Sequence, residues 1–549
     1  MTLLEGAVGW PADLAAAYRA GGYWTGATFG ELLRDWARAH RSSTALVSGP
    51  VGAPQRLTYT QLDQRVDEVA AGLHDLGIRA GDRLVVQLPN TADFVVVLFA
   101  LARIGAVPVM AMPAHRRAEI THLAELSQAV GYVIADVVQG FDHRTLAAEV
   151  LRAVPGVRHV LVAGDPGTYT ALSTVAGDPA VLAGLPPVDA SSVAVLLISG
   201  GTTGRPKLIP RTHDDYAYNA RASAEVCELT AADRYLVTLP AGHNFPLACP
   251  GLIGALGVGA TVVMAPAPSP DVVFDLVRQE RVTVTALVPP LARLWVEAAE
   301  AQPHDVTSLR LLQVGGSKLD ADLARRIPAA LGCAVQQVFG MAEGLLNYTR
   351  ADDPTDLVEI SQGRPLSPAD EIRVVDEDGA DVPAGEVGEL LTRGPYTLRG
   401  YYRAEAYNAT AFTTDGYFRT GDLVRVLPTG HLVVEGRIKD VVNRGGEKVP
   451  SGELEEMVLA HPSVVQVAVV GLPDEVLGET VCAVIVPNTE TGPPKLKAVK
   501  AFLAERGLAR FKMPDRLVVV DEMPLTAVGK ISKRDLVAGL TAHSGKATT

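Results

Sequence analysis

Between positions 195 and 207 the chain reads Val195-Leu196-Leu197-Ile198-Ser199-Gly200-Gly201-Thr202-Thr203-Gly204-Arg205-Pro206-Lys207. Four apolar residues, β-branched in part, read as the end of a buried strand. The turn that follows has no bulky side chain before Arg205, so its backbone N–H groups can close around an anion. Ser199, Thr202 and Thr203 add hydroxyl donors and Lys207 adds a positive charge. The spacing is not that of a Walker loop, which needs Gly, four residues, then Gly-Lys-Ser/Thr. A glycine-rich turn alone is most often only a turn. Here four hydroxyl or lysine donors and three glycines fall within nine residues, which favours a phosphate-binding loop.

The rest of the chain supplies a frame for such a loop. Thr28 to His40 and Gln61 to Leu76 carry helical patterns. Asp82 to Leu88, Ala106 to Met110, Gln128 to Ala135 and Val157 to Val162 read as strands, with helical sequence such as Ala92 to Ile104 between them. This alternation predicts an α/β fold with parallel or mixed sheets covered by helices. Residues 164–188 read as a loop region. Thr283 to Val288, Leu311 to Val314 and Glu389 to Arg393 are further strands. From Leu454 to Val520 helical and strand runs alternate over a shorter length, as in a small α+β domain. At 549 residues several cores are expected. The predicted layout is a large multi-subdomain N-terminal domain (1–436), a hinge (437–441), a small C-terminal domain (442–540) and a disordered tail (541–549).

Composition excludes some classes. A net charge of −13 argues against a general nucleic-acid binder. Cys227, Cys249, Cys333 and Cys482 form no CxxC pair, so no zinc site or disulfide framework is suggested, and thiols in a cytoplasm are the simple reading. Met1 to Trp10 lacks a signal-peptide pattern. Leu247 to Pro266 is uncharged but rich in Gly and Pro, and reads as a buried helix leading to a strand rather than a membrane span.

Other polar residues sit where ligands bind. His243 and Asn244 follow a strand end at Leu239, and weigh equally as ligand contacts or as a capped turn. Gly315-Gly316-Ser317 is a close-approach turn. Gln336-Gln337-Val338-Phe339-Gly340-Met341-Ala342-Glu343-Gly344 follows a further strand and brings a lone acid beyond a tight turn, either a helix cap or a residue suited to a magnesium ion bridging phosphates. Asp422 follows Thr420-Gly421, and is either a turn residue or an acceptor for ribose hydroxyls. Gly436-Arg437-Ile438-Lys439-Asp440 interrupts an apolar pattern and marks a domain boundary. Lys530 lies in the nearly uncharged turn Pro524 to Ile531, where a bland exposed lysine is the competing reading.

In this order the motifs resemble those of the adenylate-forming enzymes: acyl-CoA synthetases, luciferases and adenylation domains of peptide synthetases. The resemblance covers nearly the whole chain, and chance agreement of five separated motifs is remote. It implies that Ser199, Gly200, Gly201, Thr202, Thr203, Gly204 and Lys207 hold the phosphates of ATP. It further implies that Gly315, Val338, Phe339, Gly340, Met341 and Ala342 line the nucleotide site. Glu343 would carry Mg2+, and Asp422 with Arg437 the ribose. Asp440 would be the hinge of the small domain, and Lys530 would bridge carboxylate and α-phosphate. Rotation at the hinge would replace Lys530 by Gly445-Gly446-Glu447-Lys448.

A finer match joins His243-Asn244-Phe245-Pro246-Leu247-Ala248-Cys249-Pro250-Gly251 with Gly340 to Tyr348. These stretches are similar to those of freestanding aryl-acid AMP ligases of siderophore and related nonribosomal peptide pathways. In amino-acid-activating relatives an aspartate pairs with the substrate ammonium, whereas here Asn244 stands, an amide that can donate to a carboxylate or phenol. The resemblance implies an aryl acid held by His243, Asn244, Phe245, Cys249, Gly315, Val338, Gly340 and Leu346, with His243 also beside the reacting groups. Relatives taking 2,3-dihydroxybenzoate typically show Ser where Cys249 stands, and those taking salicylate show Cys, so salicylate is expected first. A 2,3-dihydroxybenzoate ligase, an aryl-CoA ligase and a non-catalytic binding protein are the rivals. No Gly-Gly-x-Ser carrier motif follows Lys530, so the acceptor is expected to be a separate phosphopantetheinylated aryl carrier protein, with no nucleic-acid partner.

Overall fold

The computed structural model describes residues 3–199, 206–444, 447–474, 477–489, 491–506, 508, 512–526 and 529–544. Gly200, Gly201, Thr202, Thr203 and Gly204 of the loop, and Gly445-Gly446, lie outside them.

Two large sheets carry the N-terminal part. The first runs, in spatial order, Leu208–Thr212, Val193–Ile198, Val107–Met110, Arg83–Gln87, Gly131–Ala135, His159–Ala163 and Thr170–Ala171. Its strands are parallel except for the antiparallel pair Val193–Ile198 and Leu208–Thr212. The second has a parallel centre, Ala334–Gly340, Leu311–Gly315, Val284–Leu287, Arg234–Val237, Thr261–Met264 and Thr44–Ser48. Antiparallel strands, Gln55–Thr58 at one end and Leu346–Tyr348 then Arg364–Pro365 at the other, close its edges. Parallel strands buried on both faces are mostly apolar, and Val284–Leu287 and Thr261–Met264, apolar but for Thr285 and Thr261, are buried at every position.

The helix Ala92–Arg103 is apolar almost all round and buried along its length. It belongs to one core with residues of both large sheets, including Val86, Leu197, Val237 and Val262, as a helix without a polar face should. Helix starts follow side-chain chemistry. Thr28, Thr58 and Thr212 accept from the N–H three residues on, and Glu31, Gln61 and Asp215 bond back to the cap N–H.

A third, antiparallel sheet follows, Glu371–Val375, Val387–Arg393, Phe418–Val426 and Leu432–Arg437. A single 3-10 turn, Ile438–Asp440, then leads to the small C-terminal sheet. There the hairpin Val464–Asp474 with Gly478–Pro487 is flanked by Val441–Arg444 and Arg516–Val519 and covered by the helices Ser451–Leu459, Leu496–Glu505 and Lys533–Ser544.

Three expectations need correction. Residues 541–544 continue the last helix rather than forming disordered tail, because Leu536 is buried and Val537 and Leu540 pack on the small sheet. Val338, Phe339 and Gly340 lie within the strand Ala334–Gly340 rather than after one. His243 and Asn244 begin a short helix, Asn244–Ala248, instead of standing on a strand end. Among the described residues no helix is long and apolar enough to cross a membrane.

Candidate active site

The base of the glycine-rich loop is a hairpin. Ser199 N–H donates to Lys207 O at 2.9 Å, and Lys207 N–H donates to the Ser199 hydroxyl oxygen at 3.0 Å. The Ser199 hydroxyl oxygen therefore acts as an acceptor here, joining positions 199 and 207. Lys207 Nζ stands 3.8 Å from the centre of the Tyr407 ring and 5.6 Å from that of Tyr401, a cation–π clamp. Tyr401 also donates its hydroxyl to Glu343 Oε1 at 2.8 Å. The two tyrosines thus tie the phosphate-loop lysine to the acid expected to carry metal.

Glu343 lies in the connection between the strands Ala334–Gly340 and Leu346–Tyr348. Gly344 beside it has φ +112°, and a Cβ there would meet Thr397 Cα at 2.4 Å, so only glycine fits. Burial raises the Glu343 carboxyl, against the Tyr401 hydrogen bond and the Arg437 charge. Among the described residues no three His, Cys, Asp or Glu side chains converge as a metal-binding group. A lone desolvated carboxylate suits Mg2+, which keeps waters and draws other ligands from phosphates.

Asp422 and Arg437 face one another across adjacent strands, in register. Arg437 Nε donates to Asp422 Oδ1 at 2.7 Å, and the Thr420 hydroxyl oxygen accepts from Asp422 N–H at 3.0 Å. The carboxylate is buried while the guanidinium is partly exposed.

Lys530 reaches this cluster from the small domain. Its turn is folded by Thr526, whose N–H donates to Lys530 O at 2.6 Å and whose hydroxyl oxygen accepts from Lys530 N–H at 3.1 Å. The side chain passes over Gly316, where a Cβ would lie 3.0 Å from Lys530 Cε. Burial and the Arg437 charge push its ammonium down to about 8, against the pull of Asp422 and Glu343. It is close enough to His243 to add to the burial that takes that imidazole down to about 3. Neutral His243 accepts from Phe245 N–H on Nδ1 at 3.2 Å, so its proton sits on Nε2.

Gly316 has φ +88°. Gly316→Ala is expected to strain the turn and crowd Lys530, slowing any step that needs this lysine by about ten- to a hundredfold. Steps that do not need it should change little. Separate assays of adenylate formation and of transfer to a carrier protein, the two steps that the resemblance implies, check this.

Beyond the lysine lies an apolar cluster. The Phe245 ring packs on Gly315, where a Cβ would meet it at 3.2 Å and Val338 O at 2.6 Å. Leu346 covers Gly340, whose absent Cβ would lie 2.3 Å from Leu346 Cδ2. The Asn244 amide oxygen accepts from the Tyr216 hydroxyl at 2.9 Å, and its nitrogen donates to Cys249 Sγ at 3.3 Å. Cys249 is 1 % exposed. Burial pushes its thiol up to about 12, so it stays protonated.

The structure thus gathers His243, Asn244, Phe245, Cys249, Gly315, Val338, Gly340, Leu346, Asp422, Arg437, Glu343 and Lys530 at one place. The Phe339 side chain, part-exposed, packs instead with Leu345, Leu390 and Val424, and Asp440 stays at the domain connection. Met341 and Ala342 are half-buried beside Glu343. Tyr401, Tyr407, Tyr216, Thr526 and Arg211 were not legible as site residues. Arg211 is fully buried, bonds Asp215 at 2.7 Å and donates to Ala342 O at 2.9 Å. A buried arginine one turn before an aspartate was the available signal.

Comparisons with known proteins agree in kind. Residues 33–402 match the AMP-binding enzyme model, and residues 453–530 match the AMP-binding enzyme C-terminal domain. The chain is 52% identical over 547 residues to a salicyl-AMP ligase / salicyl-S-ArCP synthetase of Mycobacterium tuberculosis, covering 100% of this chain and 96% of that protein. It is 51% identical over 534 residues to a 2,3-dihydroxybenzoate-AMP ligase of Bacillus subtilis, covering 97% of each. The apo structure of Mycobacterium smegmatis MbtA superposes with a TM-score of 0.75 at 52% identity, covering 97% of this chain and 99% of that one. This chain belongs to the AMP-binding enzyme family and carries that family's C-terminal domain.

Proposed function

We propose that this protein activates an aryl acid, salicylate first, with ATP, and passes the aryl group to the phosphopantetheine thiol of a separate aryl carrier protein. The observation that carries the reading is the position of Lys530, brought over Gly316 beside His243 and within the field of Asp422 and Glu343. A mobile-domain lysine among these groups has the charge that an attack on phosphate needs. The chain's similarity to a salicyl-AMP ligase and a 2,3-dihydroxybenzoate-AMP ligase supports the substrate class.

In the first step a carboxylate oxygen of the acid attacks the α-phosphorus of ATP. The bond to the bridging oxygen breaks and pyrophosphate leaves. Catalysis of this kind is mostly positioning and stabilisation of developing charge. Lys530 supplies that charge between carboxylate and α-phosphate, and the loop 199–207 with Lys207 holds the β- and γ-phosphates. Asp422, aligned by Arg437, accepts the ribose hydroxyls. Glu343 would hold Mg2+, which when bound neutralises phosphate charge. Phe245, Val338 and Leu346 hold the aryl ring and keep water out, protecting the aryl-adenylate. In the second step the thiol sulfur attacks the acyl carbon and AMP leaves, after rotation at Asp440 has withdrawn Lys530. Four free, buried thiols suit a cytoplasmic setting, where ATP is supplied.

The 2,3-dihydroxybenzoate reading keeps one specific support, an identity of 51% to a ligase of that acid. Cys249 argues for salicylate. A thiol is bulkier than a hydroxyl and a weak donor, and an unpaired phenol in a dry pocket costs about 1–3 kcal/mol, roughly tenfold to a hundredfold in preference. Pyrophosphate exchange with both acids decides between them. Wild type is expected to favour salicylate, and Cys249→Ser to shift the ratio of kcat/KM values towards the dihydroxy acid. A wild-type preference for the dihydroxy acid, or an unmoved ratio in the variant, overturns the assignment.

A further inference from the structure

Cys249 orders a chain of hydrogen bonds that runs through the Asn244 amide, beside Phe245. Its one proton is donated to the Asn244 backbone oxygen, 3.4 Å away. The sulfur can then only accept from its other neighbours. Asn219 Nδ2 lies 4.0 Å from it, and the Asn244 side-chain amide meets it at 3.3 Å. The Asn244 group facing sulfur must therefore be the NH2, and the amide oxygen must face the other way, towards Tyr216. That hydroxyl, 2.9 Å off and buried, donates to it. Beneath the Tyr216 ring lies the Arg211 guanidinium, 4.7 Å from the ring centre. A cation against the ring face draws electron density from it and makes the phenol a stronger donor.

Both ends of the Asn244 side chain are thus committed, oxygen to Tyr216 and one N–H to Cys249. An amide carries two N–H groups, so what it can offer a ligand is a second N–H. Without the Tyr216 hydroxyl only the weak thiol contact opposes a turned amide, in which the Cys249 proton would pass from the backbone oxygen to the amide oxygen and that oxygen could face a ligand. We infer that Tyr216 is a positioning residue for substrate choice, locking the Asn244 amide with its N–H towards the aryl acid so that the ortho substituent must be an acceptor.

This rests on the aryl-acid reading above and makes it specific at one atom. The phenol oxygen of salicylate accepts from the amide N–H while its own proton serves the carboxylate. The ortho nitrogen of 2-aminobenzoate is a poor acceptor and points a second N–H at the amide. Two donors then face each other in a dry pocket, a mismatch that rejects strongly.

The test is pyrophosphate exchange with salicylate, 2-aminobenzoate and benzoate, for wild type and Tyr216→Phe. Wild type is expected to rank salicylate first. In Tyr216→Phe the ratio of kcat/KM for 2-aminobenzoate over salicylate is expected to rise about tenfold or more, with benzoate, which has no ortho group, falling least. A merely structural role would lower all three acids together and leave the ratio where it was. That result overturns the inference, as does a ratio that rises in Asn244→Asp, an acceptor-only side chain, but not in Tyr216→Phe. Should Tyr216→Phe not fold, Cys249→Ala removes the other anchor of the amide. It is expected to raise the same ratio by a smaller factor, and an unmoved ratio there counts against the inference equally. Wild type that exchanges with none of the three acids, nor with 2,3-dihydroxybenzoate, overturns the proposed function itself, a result distinct from an unmoved ratio.

Discussion

Lys530→Ala is expected to slow aryl-adenylate formation by about a hundredfold or more, while thioester formation from preformed adenylate changes little. The lysine is the cation that the small domain delivers into the site, over Gly316 and beside His243. In the proposed role its loss removes a contact that strengthens only as charge develops on the α-phosphate, and such losses fall on rate rather than on binding. The second half-reaction, as proposed, begins after this lysine has left. Equal slowing of both half-reactions would show that Lys530 does something else.

The same lysine sets a pH dependence. Its ammonium is held at about 8 instead of the usual 10.5, chiefly by burial and then by Arg437. With the charged form as the active one, as proposed, activity is full below that value and falls as pH rises through it. The kcat/KM for adenylation, which reports the free enzyme, should bend down above about pH 8. Arginine stays protonated throughout, so Lys530→Arg should lose the bend even at a lower plateau. A wild-type profile flat to about pH 10, where an ordinary lysine titrates, removes the assigned charge role.

Much of this was legible in one dimension because the local signals agree with the global fold. The alternation of short apolar runs with helical patterns predicts the parallel sheets, and the helical pattern read from Thr28 begins at the threonine that caps the helix in the structure. Glycines whose missing Cβ would strike backbone, such as Gly344 and Gly315, lie where the motifs put them. What stayed hidden depends on register and on distant contact. Asp422 reads as a turn residue or ribose acceptor, but its pairing with Arg437 follows from strand register, which one strand's sequence does not contain. Tyr401 meets a glutamate 58 positions away, and Tyr216 an asparagine 28 positions away. Both read as ordinary core aromatics until the hydroxyl partner is known.

Asp440→Pro is expected to slow thioester formation by about tenfold or more while leaving adenylation close to wild type, because the two half-reactions ask different things of this residue. Asp440 ends the single turn Ile438–Asp440, between a strand of the third sheet and the first strand of the small domain. Val441 N–H bonds back to Ile438 O across it, and the Ser451 hydroxyl donates to Asp440 O. Adenylation uses the arrangement described, with Lys530 already in the site. Thiol transfer, as proposed, requires the small domain to turn about this point. Proline fixes φ near −65° and restricts the residue before it, so the backbone on both sides of position 440 loses freedom. One contact that must part in the rotation, the ion pair Lys318–Glu456, which spans the two domains at 3.2 Å, is exposed and weak. Asp440→Ala separates the carboxylate from the backbone, and is expected to keep both rates within a few-fold of wild type, since alanine leaves φ and ψ free. A folded Asp440→Pro protein that forms thioester at the wild-type rate places the pivot elsewhere in the chain.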